Sequence, residues 1–405
     1  MKSKLSTSLI GLMLAGSAGA QGLYYVGSEA KESIPLKWVV GASLTYDDNV
    51  SPGFGSKDSS FGISPYVGLS FVTITPQTTW DVYARLGLVY YLDAPNGMDD
   101  INSESRTGFS VTHRFNERLR FSSRNFIAYE LEPDYSYGIA SARQSNAYFY
   151  WQTDNSVGYR WTERLATYTG FNLTGYNYDG ANQDRFTWEA YNQFRYQLTP
   201  QTVLTTDYRY SQTTGDGQSS DANDQYILVG AEHRFSPNTI GIIRAGIQLH
   251  EVDGGDSSDS PYVEFALNSQ VNQQFSVRAF ARYGIENYDN IRNDPSTGFA
   301  VQFDDRETLR IGVSSEYVIT PTFSAFGGID YIPSNFNQGQ VLPPNVPGPV
   351  GDYSEDLINA YIGVSMKIND YLTGTLSYNY THQDSDFAGE TYNRNRVSIG
   401  VSTEF

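Results

Sequence analysis

Residues 80 to 90 read Trp80-Asp81-Val82-Tyr83-Ala84-Arg85-Leu86-Gly87-Leu88-Val89-Tyr90. Trp80, Val82, Ala84, Leu86, Leu88 and Tyr90 share one parity, while Asp81, Tyr83, Arg85, Gly87 and Val89 share the other. Successive side chains of a strand point to opposite faces, so this stretch is a strand with one apolar face and one mostly polar face. The pattern returns at 37–46, where Trp38, Val40, Ala42, Leu44 and Tyr46 alternate with Lys37 and Thr45 among others. It returns again at 275–285, where Phe275, Val277, Ala279, Ala281, Tyr283 and Ile285 bracket Arg278 and Arg282. Such runs reach the ~9–11 residues that a tilted strand needs to cross a bilayer.

An apolar face must be covered. A soluble protein covers it with a second layer, but Ala-, Leu- and Lys-rich helical stretches are missing here. A propeller repeats at a comparable period but uses strands of only ~5–6 residues. Lipid remains as the cover. After the first 20 residues no run approaches the ~20 apolar residues of a membrane-spanning helix, which excludes a helical membrane protein.

Short turn signals recur near Pro76, Glu117, Glu163, Pro200, Pro237, Gln273, Pro321 and Asp370, with longer polar segments between them. Eight turns and nine loops predict an all-β fold, a transmembrane antiparallel up-and-down β-barrel of about 18 strands, with 16 or 20 as alternatives. The even count places both ends of the barrel on the short-turn side.

The N-terminus has its own logic. Lys2 and Lys4 precede an apolar stretch from Leu5 to Ala15, and Ala18-Gly19-Ala20 offers the small residues of a cleavage site. The expected division is a signal peptide at 1–20, a short periplasmic segment at 21–35 and the barrel at 36–405. Removing the two leader lysines leaves 25 basic against 45 acidic residues, a balance of −20 that excludes nucleic acid as a partner. The absence of Cys removes disulfides, thiolate chemistry and a lipid-modified N-terminal Cys.

A charge facing the bilayer centre costs ~2–4 kcal/mol, so strand charges should sit on the inner parity, and they do. Arg85, Arg120, Arg124, Arg278, Arg282 and Arg310, with Glu130 and Glu286, are the candidates to line and select in the lumen. The inward positions balance to a slightly basic wall, which leaves the excess negative charge to the loops. The longest loop, 332–355, holds Pro333, Pro343, Pro344, Pro347 and Pro349, which are expected to keep it from extending a sheet; folded inward it would narrow the channel, and the sequence leaves an open and an occluded pore as alternatives. Aromatic residues at strand ends are expected to form interfacial girdles: Tyr90 and Tyr91, Tyr135 and Tyr137, Tyr148 to Trp151, Tyr159 and Trp161, Tyr176 and Tyr178, Tyr208 and Tyr210, Tyr378 and Tyr380.

Catalytic chemistry has little to stand on. His113-Arg114-Phe115 and His233-Arg234-Phe235 repeat before two turns, on the lipid parity, as interfacial packing would. His250 is expected at the mouth beside Glu251 and Asp253, and His382 in a loop with Asp384 and Asp386. Neither has the spacing of a hydrolase. The acidic runs Asp216 to Asp224 and Asp253 to Asp259 lack the spacing of a calcium loop and read as solvated. No enzyme activity, cofactor or metal is expected.

The last strand supplies a resemblance. Val397, Ile399, Val401, Thr403 and Phe405 alternate outward and resemble the signal that the barrel-assembly machinery reads in bacterial outer-membrane β-barrel proteins. Leu44-Thr45-Tyr46-Asp47-Asp48-Asn49-Val50 is similar to the opening of the β-barrel porin type 2 family. The resemblance implies export to the outer membrane of a Gram-negative bacterium, contact with lipid and lipopolysaccharide, and a porin-like channel for passive diffusion of small hydrophilic solutes. The alternative it leaves open is an outer-membrane component of exopolysaccharide export or surface attachment, with a polysaccharide as partner; an adhesin is the third reading. Oligomeric state is not written in the pattern.

Overall fold

The computed structural model describes residues 33–52, 57–95, 98–132, 147–179, 184–216, 220–254, 257–287, 291–293, 298–342, 349–387 and 389–405. The expected signal peptide, most of the 21–35 segment, and Tyr135 and Tyr137 lie outside them.

Strands β1 (Ile34–Asp47), β2 (Ser60–Ile74), β3 (Thr78–Tyr91), β4 (Ile101–Arg114), β5 (Leu119–Glu130) and β6 (Tyr148–Arg160) open the sheet. β7 (Leu165–Tyr178), β8 (Arg185–Gln197), β9 (Thr202–Gly215), β10 (Ala222–Ser236), β11 (Thr239–Val252), β12 (Ser257–Gln270) and β13 (Phe275–Ile285) continue it. Two short strands, β14 (Ile291–Asn293) and β15 (Ala300–Gln302), precede β16 (Asp305–Thr320) and β17 (Phe323–Asn337). Two more, β18 (Gly339–Val341) and β19 (Pro349–Val350), precede β20 (Tyr353–Lys367), β21 (Leu372–Ser385) and β22 (Tyr392–Glu404).

The long strands pair antiparallel with their neighbours in chain order, β13 passing to β16 and β17 to β20. β1 pairs with β22, from Val39 opposite Glu404 to Asp47 opposite Arg396, so the sheet of 18 strands closes on itself. Phe405 and Trp38 exchange two further backbone hydrogen bonds at 2.8 and 3.0 Å, which extends this seam to the short-turn rim. All eight turn positions read from the sequence fall between consecutive long strands. The first strand begins two residues ahead of the expected barrel start at 36.

Alternation decides which side is which. Along β3, Leu86 and Leu88 are 54% and 49% exposed although they are aliphatic, and Ile243, Ile329, Ile362 and Ile399 repeat this elsewhere. The polar parity is the buried one. The apolar side chains therefore form a continuous outer band with no layer over it among the described residues, which is the surface a bilayer covers.

Two expectations change. Pro333 does lie in a sheet: β17 runs through it, opposite Asp356 of β20. The missing N–H is absorbed on the other side, where pairing with β16 lapses between Ser334 and Tyr331. Beyond β17 the loop contributes β18 and β19, and Pro349 pairs with Gln340. Pro343, Pro344 and Pro347 lie outside the described residues. The aromatic girdle also divides. Tyr90, Trp161, Tyr208 and Tyr378 are exposed on the outer face, but Tyr91, Tyr148, Tyr150, Tyr176 and Tyr178 are buried on the inner one. Neighbours in a strand cannot both face lipid, and these belong to the lumenal parity.

Candidate functional site

The lumen is unevenly filled. From β6 to β16 the inward side chains lock together. Tyr191 of β8 donates to Asp154 of β6 at 2.8 Å, and Gln193 to Asp207 of β9 at 2.5 Å. Arg195 of β8 holds Glu232 of β10 with two bonds at 2.6 and 2.5 Å. Glu264 of β12 accepts from Arg209 of β9 at 2.9 Å, Arg244 of β11 at 2.8 Å and Tyr262 of its own strand at 3.1 Å. Strands stand ~4.8 Å apart, so Arg209 crosses roughly 14 Å of wall to reach Glu264. Such a reach is a chord through the interior, and it fills the space that chord cuts off. Arg244, Glu232 and Glu264 are almost wholly buried as a result.

Three of the sequence candidates belong to an extension of this network. Arg310 of β16 grips Glu286 at 2.6 and 2.8 Å, and Arg282 of β13 holds the same carboxylate. Arg282 and Arg310 stand opposite each other, so Glu286 neutralises a pair of like charges that would otherwise repel. Arg124 stands opposite Asp154 across β5 and β6. Arg278 is exposed, opposite Asn268 and Ser314.

Among the described residues the rest of the lumen is open. A cavity of about 570 Å³ runs along β1 to β5, β17 and β20 to β22. The guanidinium of Arg85 lies over the ring of Tyr66, 4.1 Å from its centroid. That ring in turn covers Gly41, where a Cβ would come within 2.6 Å of it. Opposite Arg85 stands Arg106, bonded to Glu130 through Nε and, at 2.6 Å, through Nη2. Near the long-loop end Arg396 meets Glu132 at 2.8 Å, and at the other end Lys37 pairs with Glu404. Serines, threonines and asparagines fill the intervals: Ser64, Thr45, Asn359 and Asn379 all line this cavity. The arrangement offers water-compatible hydrogen-bonding groups with charge of both signs fixed on a narrow wall.

At the long-loop end, two loops fold over the inner wall. β14 and β15 from one pair with β18 and β19 from the other into a small four-stranded sheet. Val301, Phe303, Phe336 and Phe387 bury together beneath it. Arg292 fixes it, bonded to Glu390 at 2.9 Å and lying over Phe387 at 5.1 Å. Among the described residues, none of these four strands lines the open cavity.

The candidates are thus dispersed. Arg85 and Glu130 line the cavity; Arg282, Arg310 and Glu286 form a closed clamp; Arg120 lies at the short-turn end. Parity reasoning missed Arg106, although it shares the parity of Arg114 in the same strand. The histidines also shift. His250 bonds to Asp224 at 2.7 Å and not to its chain neighbours, and His382 lies within β21, 3.2 Å from the carbonyl of Tyr392. His113 and His233 occupy matched settings: each meets a threonine across the ladder, Thr78 at 2.8 Å and Thr202 at 2.9 Å, and each lies edge-on to the phenylalanine two residues on. Val397, Ile399, Val401 and Phe405 face outward, with Thr403 half-buried among them.

Neither a protein-family model nor a curated protein matches the chain. Solved structures do. OccK2 (OpdF) of Pseudomonas aeruginosa in complex with glucuronate is similar at 10% identity and a TM-score of 0.46, with 94% of this chain and 100% of that one covered. A BenF-like porin from Pseudomonas fluorescens Pf-5 has 9% identity and a TM-score of 0.46, covering 93% and 100%. Acinetobacter baumannii OccAB4 has 11% identity and a TM-score of 0.43, covering 92% and 99%.

Proposed function

We propose that this barrel is an outer-membrane channel through which small hydrophilic solutes diffuse passively, of the kind found in the type 2 β-barrel porins. The reading rests on the open cavity: about 570 Å³ beside β1 to β5, walled by hydroxyls, amides and fixed charges, in a cylinder whose outer face is apolar. A barrel whose purpose was rigidity alone would lock its whole interior, as this one locks β6 to β16. In this reading the short turns face the periplasm, the acidic loops face outward toward lipopolysaccharide, and residues 1–20 are removed on export. The outward row Val397, Ile399, Val401, Thr403 and Phe405 is presented to the assembly machinery.

The test is conductance of the purified barrel in planar bilayers, where stepwise openings in KCl are expected. A barrel that inserts fully and passes no current would refute the channel and leave the fold untouched.

A further inference from the structure

The short-turn mouth holds a second cavity, of about 530 Å³, away from the one described above. Six arginines line it: Arg114, Arg118, Arg120, Arg160, Arg164 and Arg195. The carboxylates in its wall are Glu117 and Glu163. These six are drawn from only 27 basic residues in a chain of net charge −18, so the concentration runs against the whole molecule's sign.

The local geometry sharpens this. Arg114 and Arg120 stand directly opposite each other across β4 and β5, a like-charge placement that weakens a sheet. Arg160 and Arg195 flank Ala166, the residue that separates them across β7 and whose small side chain leaves room for two guanidiniums. Arg160 spends donors on the carbonyls of its own turn, Thr162 at 3.2 Å and Glu163 at 3.4 Å. Among the described residues, Arg118, Arg160 and Arg164 have no carboxylate within ion-pairing distance. Arg195 is already met by Glu232, and the crowding of Arg118, Arg160 and Arg164 beside only Glu117 and Glu163 costs free energy that a bound anion would recover.

We propose that this vestibule is a binding site for a small anion carrying two or more oxyanion charges, carboxylate or phosphate, at the mouth opposite the acidic loops. The size of the cavity suits a small molecule better than a protein segment, and forked guanidiniums match the planar edges of such groups. The inference rests on the channel reading for its purpose, and its first test does not require conduction.

Inorganic pyrophosphate is titrated into the barrel in detergent by calorimetry at low salt. Saturable binding is expected, weakened at least tenfold in the Arg118→Ser/Arg164→Ser variant, whose changes lie in exposed turns and leave the strands alone. Absent binding to the unaltered barrel, or binding that the variant keeps, overturns the proposal. So does binding of an acidic peptide in the absence of any for pyrophosphate. In bilayers, pyrophosphate added from the short-turn side alone is expected to reduce the current. A barrel that binds it but conducts nothing would refute the channel while keeping the site; one that conducts with equal block from both sides would do the reverse.

Discussion

Single side chains here do work that backbone normally does. Pairing between β12 and β13 stops at Val263 opposite Tyr283, two residues short of Pro261. Beyond that point the buried amide of Gln248, from β11, accepts from the N–H of Ile285 at 2.8 Å and donates to its carbonyl at 3.0 Å. An amide side chain is the one group that offers a donor and an acceptor with the spacing of a peptide. Gln248→Leu strands both groups, and a loss of about 2 kcal/mol or more is expected in thermal or urea unfolding of the barrel in detergent. Glu264 is a larger liability because three donors converge on it. Glu264→Ala leaves Arg209 and Arg244 buried without their shared counter-charge, and a destabilisation of about 3–5 kcal/mol is expected by the same measurement. A variant that unfolded like the parent would mean that water already reaches this network.

At the scale of strands and loops, the seam between first and last strand is secured beyond its ladder. Asp48, just past β1, accepts from the backbone N–H of Asn395 at 2.7 Å and from its amide at 2.9 Å, and meets Lys57 at 2.9 Å. Burial pushes the Asp48 carboxyl up, but these bonds outweigh it and hold its pKa below the ordinary value. A carboxylate with a depressed pKa stabilises fully above its unfolded pKa of ~3.9, and that contribution disappears as pH falls through the lower, folded value. Amide exchange at Asn395 is therefore expected to stay slow from neutral pH down to about 4 and to accelerate below it, relative to a neighbour in the same strand; Asp48→Asn should abolish that difference. Turn positions and lipid-facing parity were legible in the sequence because a period of two is enforced by lipid on one side, whereas the count of 18 stood there beside 16 and 20. The partners of the inward charges were not legible. Parity places Arg282, Arg310 and Glu286 on one face but carries no information about which of them meet, since that depends on curvature and on reaches such as that of Arg209 across three strands. Pro333 misled for a related reason: a strand has two edges, and sequence does not say which edge a proline may leave unpaired.

The whole molecule divides its interior into a locked half and an open half, and under the proposed channel function this predicts which arginines matter to permeation. Arg85→Ser/Arg106→Ser removes two positive charges from the cavity and leaves Glu130 exposed to it. Reversal potentials in a KCl gradient are expected to move toward cation preference, while Arg278→Ser, outside that cavity, should leave them near the parent value. An equal shift in both would mean that ions use the full width of the barrel. The position of the open half has a further consequence for biogenesis. Its walls include β1, β2, β21 and β22, strands from both extremities of the chain, so the conduit has no complete perimeter until the two ends meet. The middle of the chain can assemble and knit its arginine–carboxylate lattice first. A nascent cylinder built that way has no finished leak to offer the cell before it is sealed.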